Sequence, residues 1–137
     1  MCRCRMCQKA VGGPFAALAP VQRKDFAWTR GQPSAFRSSS VAVRYFCAAC
    51  GTPLGFAYTS SDWIDVTIGG LDAPAEAPPG RHYGIEARVP WFESIVTLPG
   101  ETTEDNMDPE LQGGLVDFQH PDHDTPDDWR PPELAGR

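Results

Sequence analysis

The sequence predicts a single all-β domain of short antiparallel strands held together by metal, on three observations. Fourteen prolines and 13 glycines in 137 residues punctuate the chain too often for long helices and favour short strands joined by turns. Side chains alternate at period two in Val41 to Phe46 and again in Trp63 to Ile68, the pattern of half-buried strands. All five cysteines fall in two clusters, Cys2-x-Cys4-x-x-Cys7 and Cys47-x-x-Cys50 followed by Gly51. Thiolates packed this densely repel one another and need a cation between them. Zinc is the usual one, with sulfurs at roughly 2.3 Å in a tetrahedron.

Taken in order, Gln8 to Val11 reads as a short helical turn stopped by Gly12-Gly13-Pro14. Phe15 to Ala19 is an apolar run expected as a buried strand, limited by Pro20 or placed by it at a sheet edge. Phe26 to Thr29 is expected as a second short strand with Trp28 inward. Ser38-Ser39-Ser40 is expected as a polar turn. Val41 to Phe46 is a strand that delivers Cys47 to a metal knuckle, and Leu54 to Tyr58 returns from it as a hairpin. The glycine at 51 tolerates the positive φ such a knuckle requires. Trp63 to Ile68 is a strand with Trp63, Asp65 and Thr67 on one face, stopped by Gly69-Gly70. Ala73 to Gly80 is a proline-rich loop, His82 to Val89 and Ile95 to Leu98 are further strand candidates, and Trp91-Phe92 reads as a core or pocket anchor. Asp108 to Val116 is a short helix broken by Gly113-Gly114.

Composition divides the chain into a domain over 1–99 and an acidic, proline-rich tail over 100–137. The first carries ten Lys/Arg against seven Asp/Glu, the second two against eleven, for a net charge of -6. An acidic chain with no basic stripe is excluded as a nucleic-acid binder, while the mildly positive domain suits a small anion. No run of ~18 apolar residues is present and the N-terminus carries cysteines and arginines, so no membrane partner and a soluble, cytoplasmic protein are expected. An odd number of cysteines cannot all enter disulfides, and in a reducing compartment their spacing reads as metal binding.

Cys2, Cys4 and Cys7 supply three ligands and leave zinc a fourth, exchangeable position, as catalytic zinc sites do. Three thiolates leave the unit at a charge of -1, which blunts its acidity toward water and suits it to a further soft ligand such as a substrate thiol. Arg3, Arg5 and Lys9 offset that charge and, with Arg44, are candidates to hold substrate carboxylates. The bland alternative merges Cys4 and Cys7 with Cys47 and Cys50 into one closed structural zinc. His120 and His123 read as a solvated tail rather than as ligands, because Pro121 disfavours a helical pairing. Asp62 and Asp65 read as solvent-facing strand residues, His82 as either a substrate contact or a strand cap, and Tyr45 and Tyr83 as candidate proton donors.

Together these residues resemble the glutathione-dependent formaldehyde-activating enzyme family, whose domain is shared with centromere protein V. The resemblance rests on Cys2-x-Cys4-x-x-Cys7-Gln8-Lys9, Gly12-Gly13-Pro14-Phe15, Trp28-Thr29-Arg30-Gly31, Ser38-Ser39, Arg44 to Leu54 and Leu71-Asp72, in family order over roughly residues 2–99. It implies a zinc-stapled, Mss4-like (β-tent) sandwich of short antiparallel strands. The implied activity is carbon–sulfur lyase chemistry on adducts of a thiol such as glutathione with a small aldehyde such as formaldehyde. The resemblance assigns a catalytic zinc to Cys2, Cys4 and Cys7 and half of a structural zinc to Cys47 and Cys50. The family's other structural half, a C-x-C-G on an opening strand, is absent from this sequence, so a fold with its first strand missing is expected. The rival expectation is a non-enzymatic, zinc-stapled protein-binding module or an inactive family member.

Overall fold

A computed structural model describes residues 1–132. Its centre is one antiparallel sheet of five strands: β1 (Leu18–Gln22), β2 (Ser34–Ser39), β3 (Ala42–Phe46), β4 (Pro53–Tyr58) and β5 (Trp63–Thr67). The spatial order is β1-β5-β4-β3-β2, so β2 to β5 form a meander and β1 returns to pair with β5. The all-β expectation is met. Short helices lie around the sheet: α1 (Arg5–Val11), α2 (Thr103–Asn106) and α3 (Pro109–Gly113). Among the described residues, no helix is long and apolar enough to cross a membrane.

The two strands with clear alternation, and the strand expected to return from the knuckle, form close to where the sequence puts them, as β3, β5 and β4. Pro20 lies on β1, which is an edge of this sheet, where a residue without an N–H is tolerated. α1 stops at Gly12, whose left-handed φ of 66° is the usual helix C-terminal device. α3 starts on Pro109 with Asp108 accepting from the Glu110 N–H at 2.9 Å. Between β3 and β4 the knuckle closes through Cys47 N–H to Thr52 O at 2.9 Å and Gly51 N–H to Cys47 O at 2.8 Å, with Gly51 at φ 78°.

Several expectations are corrected. Of the serines expected as a turn or loop, Ser38 and Ser39 end strand β2, while Ser40 lies in the Ser40-Val41 turn; a bulge follows Arg37 in the β2–β3 register. β2 is an edge strand with an exposed Phe36, so hydrophobic alternation carries no signal there. Phe26 to Thr29 is not a strand, because β2 already occupies the edge of β3. Trp28 instead packs its ring on Tyr45 at 5.6 Å and on Phe26 at 4.7 Å. His82 to Val89 pairs only through Tyr83, since Gly84 at φ 62° turns the chain into a 3₁₀ turn at Ile85–Ala87. Ile95 to Leu98 falls mostly within a 3₁₀ helix, Pro90–Thr97, and Trp91 on it is exposed. The apolar run after Pro14 forms its strand later than expected, because Ala16 is paired with Cys2.

Residues 119–127 return to the domain near the knuckle and Arg30. Thr125 is buried, accepts from Arg30 Nε at 3.0 Å and shares a hydrogen bond of 2.8 Å with His120 Nε2, while Arg30 pairs with Asp124 and Asp127. Gln119 donates to Thr52 Oγ1 at 3.2 Å. Residues 133–137 of the expected tail lie outside the described residues.

One cross-strand row supplies the sheet's contribution to the cysteine end of the molecule. Pro20, Asp65, Phe56, Arg44 and Phe36 are successive register partners from β1 to β2 and therefore share one face. Ile64, 2 % exposed on β5, belongs to the opposite face. Replacing Ile64 by Ala removes buried methylenes with no neighbour free to fill the space. Denaturant unfolding of I64A is expected to show a loss of about 2–5 kcal/mol.

Candidate metal centre

The three N-terminal cysteines are brought together by backbone pairing and one turn of helix. Cys2 exchanges both hydrogen bonds with Ala16, each 2.8 Å. On its other side Arg3 N–H meets Tyr83 O at 2.8 Å and Tyr83 N–H meets Met1 O at 2.9 Å. Cys4 opens α1, its carbonyl accepting from Gln8 N–H at 3.0 Å, and Cys7 lies one turn on, buried. The three sulfurs all lie within 4.8 Å of one another. A tetrahedral zinc with ~2.3 Å bonds needs its sulfurs about 3.8 Å apart, so a small contraction makes this donor set fit the metal. Among the described residues no other three metal-capable side chains are so grouped.

The loop is braced from behind. Gln8 is buried and its amide donates to Arg3 O at 2.7 Å and Ala87 O at 2.9 Å, while Arg5 donates to its Oε1. Arg3 is 1 % exposed. Its guanidinium lies over the Phe92 ring at 3.9 Å, and Phe92 meets Phe15 edge-on at 5.5 Å. Among the described residues, Nε and Nη1 of Arg3 have no hydrogen-bond partner, so this buried cation leans on the aromatic face. Gly84 passes so near Cys4 that a side chain there would meet its backbone nitrogen at 2.5 Å.

Electrostatics distinguish the three thiols. Burial pushes Cys2 up to about 12, assisted by its two neighbouring thiols. Burial also raises Cys4, but hydrogen bonds from the Cys7 backbone and from the other two thiols outweigh it and bring Cys4 below the ordinary thiol value. Arg44, from the sheet row, places Nη2 3.4 Å from Cys7 Sγ and its guanidinium 5.0 Å from the Phe56 ring centroid.

In front of the cysteines is a cavity of about 920 Å³. One wall is Cys2, Cys4 and Cys7; the sheet supplies Arg44, Phe56, Tyr58 and Asp65; Arg81 and Tyr83 supply the third side. A smaller cavity of about 480 Å³ adjoins it, sharing Met6, Leu18, Arg44 and Phe56, and is lined by Lys9 and Tyr45. Asp65 is half-buried on the floor of the larger cavity, not turned to solvent as its strand position suggested. Burial raises its carboxyl above the ordinary value, and the Met1 ammonium opposes this.

The structure therefore gathers Cys2, Cys4, Cys7 and Arg44 at one place and sets Lys9 beside it. Arg5 is exposed, is bound to Gln8 and lines neither cavity. Cys47 and Cys50 remain on the knuckle, outside the triplet's group, so the merged four-cysteine site is not formed. There Cys50 contacts Thr52 Oγ1 at 3.0 Å, and that hydrogen bond lowers its thiol. His120 bonds Thr125 and stacks on Trp129 at 4.8 Å, so it is a packing residue rather than a ligand. Tyr58, Arg81 and the inward Asp65 escaped sequence reasoning. The face shared by Asp65 and Thr67 was the available signal for the last.

Two comparisons with known proteins bear on this centre. A family model described as glutathione-dependent formaldehyde-activating enzyme matches residues 1–86, which contain every residue of the site. A protein of Schizosaccharomyces pombe, named only as an uncharacterized lyase, is 37% identical over 59 residues, 43% of this chain and 42% of its own length. The matched segment thus spans about two fifths of that relative.

Gly84 offers a clean probe of the loop. Alanine there strains a left-handed backbone by roughly 1–2 kcal/mol and drives Cβ into Cys4. G84A is expected to melt several degrees lower and to bind zinc about 10- to 100-fold more weakly, read by competition with a chromophoric chelator.

Proposed function

The chain belongs to the glutathione-dependent formaldehyde-activating enzyme family, and from that membership we propose that it is a zinc-dependent carbon–sulfur lyase acting on adducts of a small thiol, glutathione-like, with a small aldehyde. The observation that carries this reading is the clustering of three cysteine sulfurs within 4.8 Å on the wall of a cavity large enough for a small peptide thiol. Cys2, Cys4 and Cys7 are the residues to hold the metal. Bound there, zinc supplies Lewis-acid chemistry, favouring the deprotonated form of a thiol that takes its exchangeable position.

The chain's own side chains orient the substrate. Arg44 and Arg81 face the cavity and pair with no carboxylate among the described residues, so both can receive the carboxylates of a glutathione-like ligand. Lys9, beside the adjoining cavity, offers a third cation. Arg44 also lies against Cys7, where its charge favours an anionic sulfur nearby. Phe56 gives the apolar floor over which an uncharged aldehyde settles. In the addition direction the thiol sulfur bonds to the carbonyl carbon, the π pair moves to oxygen, and the thiol proton ends on that oxygen. Elimination is the same sequence reversed.

Glutathione added to the zinc-loaded protein, followed by amide NMR, is expected to move resonances of Arg44, Arg81 and the 1–9 segment. With formaldehyde present, S-hydroxymethylglutathione is expected to form faster than in buffer. R44A is expected to raise KM for glutathione about tenfold, the loss of one charge-assisted contact of ~1.5 kcal/mol, and a strong chelator to abolish turnover and lower Tm. An unchanged spectrum at saturating thiol contradicts the enzyme and favours a binding module.

A further inference from the structure

We propose that Asp65 is the proton carrier of this site, taking the proton that the substrate thiol gives up and delivering it to the carbonyl oxygen as the carbon–sulfur bond forms. This rests on the lyase reading above and assigns a step that reading leaves without a residue.

Asp65 is the one carboxyl lining the larger cavity among the described residues. It lies in the cross-strand row with Phe56 and Arg44, two strand spacings from Arg44, or ~10 Å between backbones. Arg44 in turn touches Cys7. In this proposal the substrate sulfur sits by the cysteines and its carbonyl lies over Phe56, with the oxygen on the Asp65 side of the cavity floor. Among the described residues, no hydrogen bond or ion pair engages the Asp65 side chain, so a half-buried acceptor stands unused in the resting site.

Among the described residues, β1 lines the cavity around Asp65 with Leu18 and Pro20, β4 with Phe56 and Tyr58, and β3 with Ala42 and Arg44. The N-terminal segment brings the three cysteines and the Met1 ammonium, itself held by Arg81 O at 2.6 Å, and the 80–83 segment brings Arg81 and Tyr83. Of the oxygen acids, Tyr58 and Tyr83 are 53% and 57% exposed, whereas the Asp65 carboxyl is half-buried on the cavity floor. Burial raises that carboxyl, which brings it nearer neutral pH and suits it to general acid–base transfer.

The step balances without a co-reactant. Asp65 carboxylate takes the thiol proton; the sulfur lone pair forms the bond to carbon; the π pair of the carbonyl moves to oxygen; and Asp65 returns the proton to that oxygen. In the reverse direction Asp65 carboxylate removes the hydroxyl proton, the carbonyl re-forms, the carbon–sulfur pair departs on sulfur, and Asp65 returns the proton to that sulfur.

The test uses zinc-loaded wild type, D65N and D65E with glutathione and formaldehyde. kcat/KM is followed against pH, glutathione affinity by calorimetry, and Tm against pH. In wild type, kcat/KM is expected to rise with pH through the raised carboxyl pKa. In D65N kcat is expected to fall about 10²- to 10⁴-fold and that limb to vanish, with zinc content and glutathione affinity unchanged. D65E is expected to restore part of the rate and the limb. Because the folded carboxyl is raised, Asp65 contributes less to stability as pH climbs from 3.8 through its raised value. D65N is therefore expected to melt no lower than wild type at neutral pH, which separates lost chemistry from lost folding. Active wild type with D65N retaining its rate and limb overturns the Asp65 assignment alone, as does loss of zinc from D65N with no rescue in D65E. Wild type that neither binds nor turns over glutathione overturns the lyase reading and this step together.

Discussion

The centre depends on the capture of the first residues of the chain between two distant segments. Cys2 is stitched to Ala16, just before β1, while Met1 and Arg3 are stitched to Tyr83. Four backbone hydrogen bonds of 2.8–2.9 Å make residues 1–3 a short strand-like segment, and Cys2 becomes a fixed point. Gln8 then ties Arg3 to Ala87, so the helix carrying Cys7 and the segment carrying Cys2 cannot drift apart. The contact of Gly84 with Cys4 belongs to the same clamp. It explains why residues 82–87 leave the sheet: they are occupied in holding the cysteines.

Charge is arranged around that clamp in layers. Cys4 and Cys7 raise Cys2, while Cys2 and Cys7 lower Cys4; a dication would relieve the repulsion of their thiolates. Behind them Arg3 is buried on Phe92, a cation with no carboxylate partner among the described residues, its cost moderated by the aromatic face. In front, Arg44 reaches Cys7 from the sheet and Arg81 rims the cavity. Among the described residues the only acid on that floor is Asp65. Cations from the sheet and from the 80–83 segment thus flank one half-buried carboxyl and the cysteine cluster.

Much of this was legible in the sequence, and the parts that were not have physical causes. β3 and β5 are interior strands whose two faces meet different environments, so their residues alternate visibly, and β4 was legible as the strand that returns from the knuckle. β2 is an edge whose residues are polar or exposed, and nothing in Ser-Ala-Phe-Arg-Ser-Ser distinguishes it from a loop. Trp28 suggested a strand because a buried aromatic is common in one, but it is held by stacking on Tyr45 rather than by a ladder. The triplet was readable because metal geometry restricts cysteine spacing tightly, and the knuckle glycine because φ is positive there. Arg81 and Tyr58 were invisible, since only the register and the return of the 80–83 segment bring them to the cavity. Asp65 sat on a correctly identified face, but which face looked inward depended on α1 and the N-terminal segment lying across it.

The central claim is that Cys2, Cys4 and Cys7 hold a zinc that keeps a position for an exogenous thiol. Zinc-edge X-ray absorption on wild type and on C47S/C50S, with and without glutathione, tests it most directly. C47S/C50S is predicted to retain zinc with three sulfur neighbours and to gain a fourth when glutathione is added. Zinc that is lost from C47S/C50S, or that shows the same sulfur count at saturating glutathione, contradicts the claim.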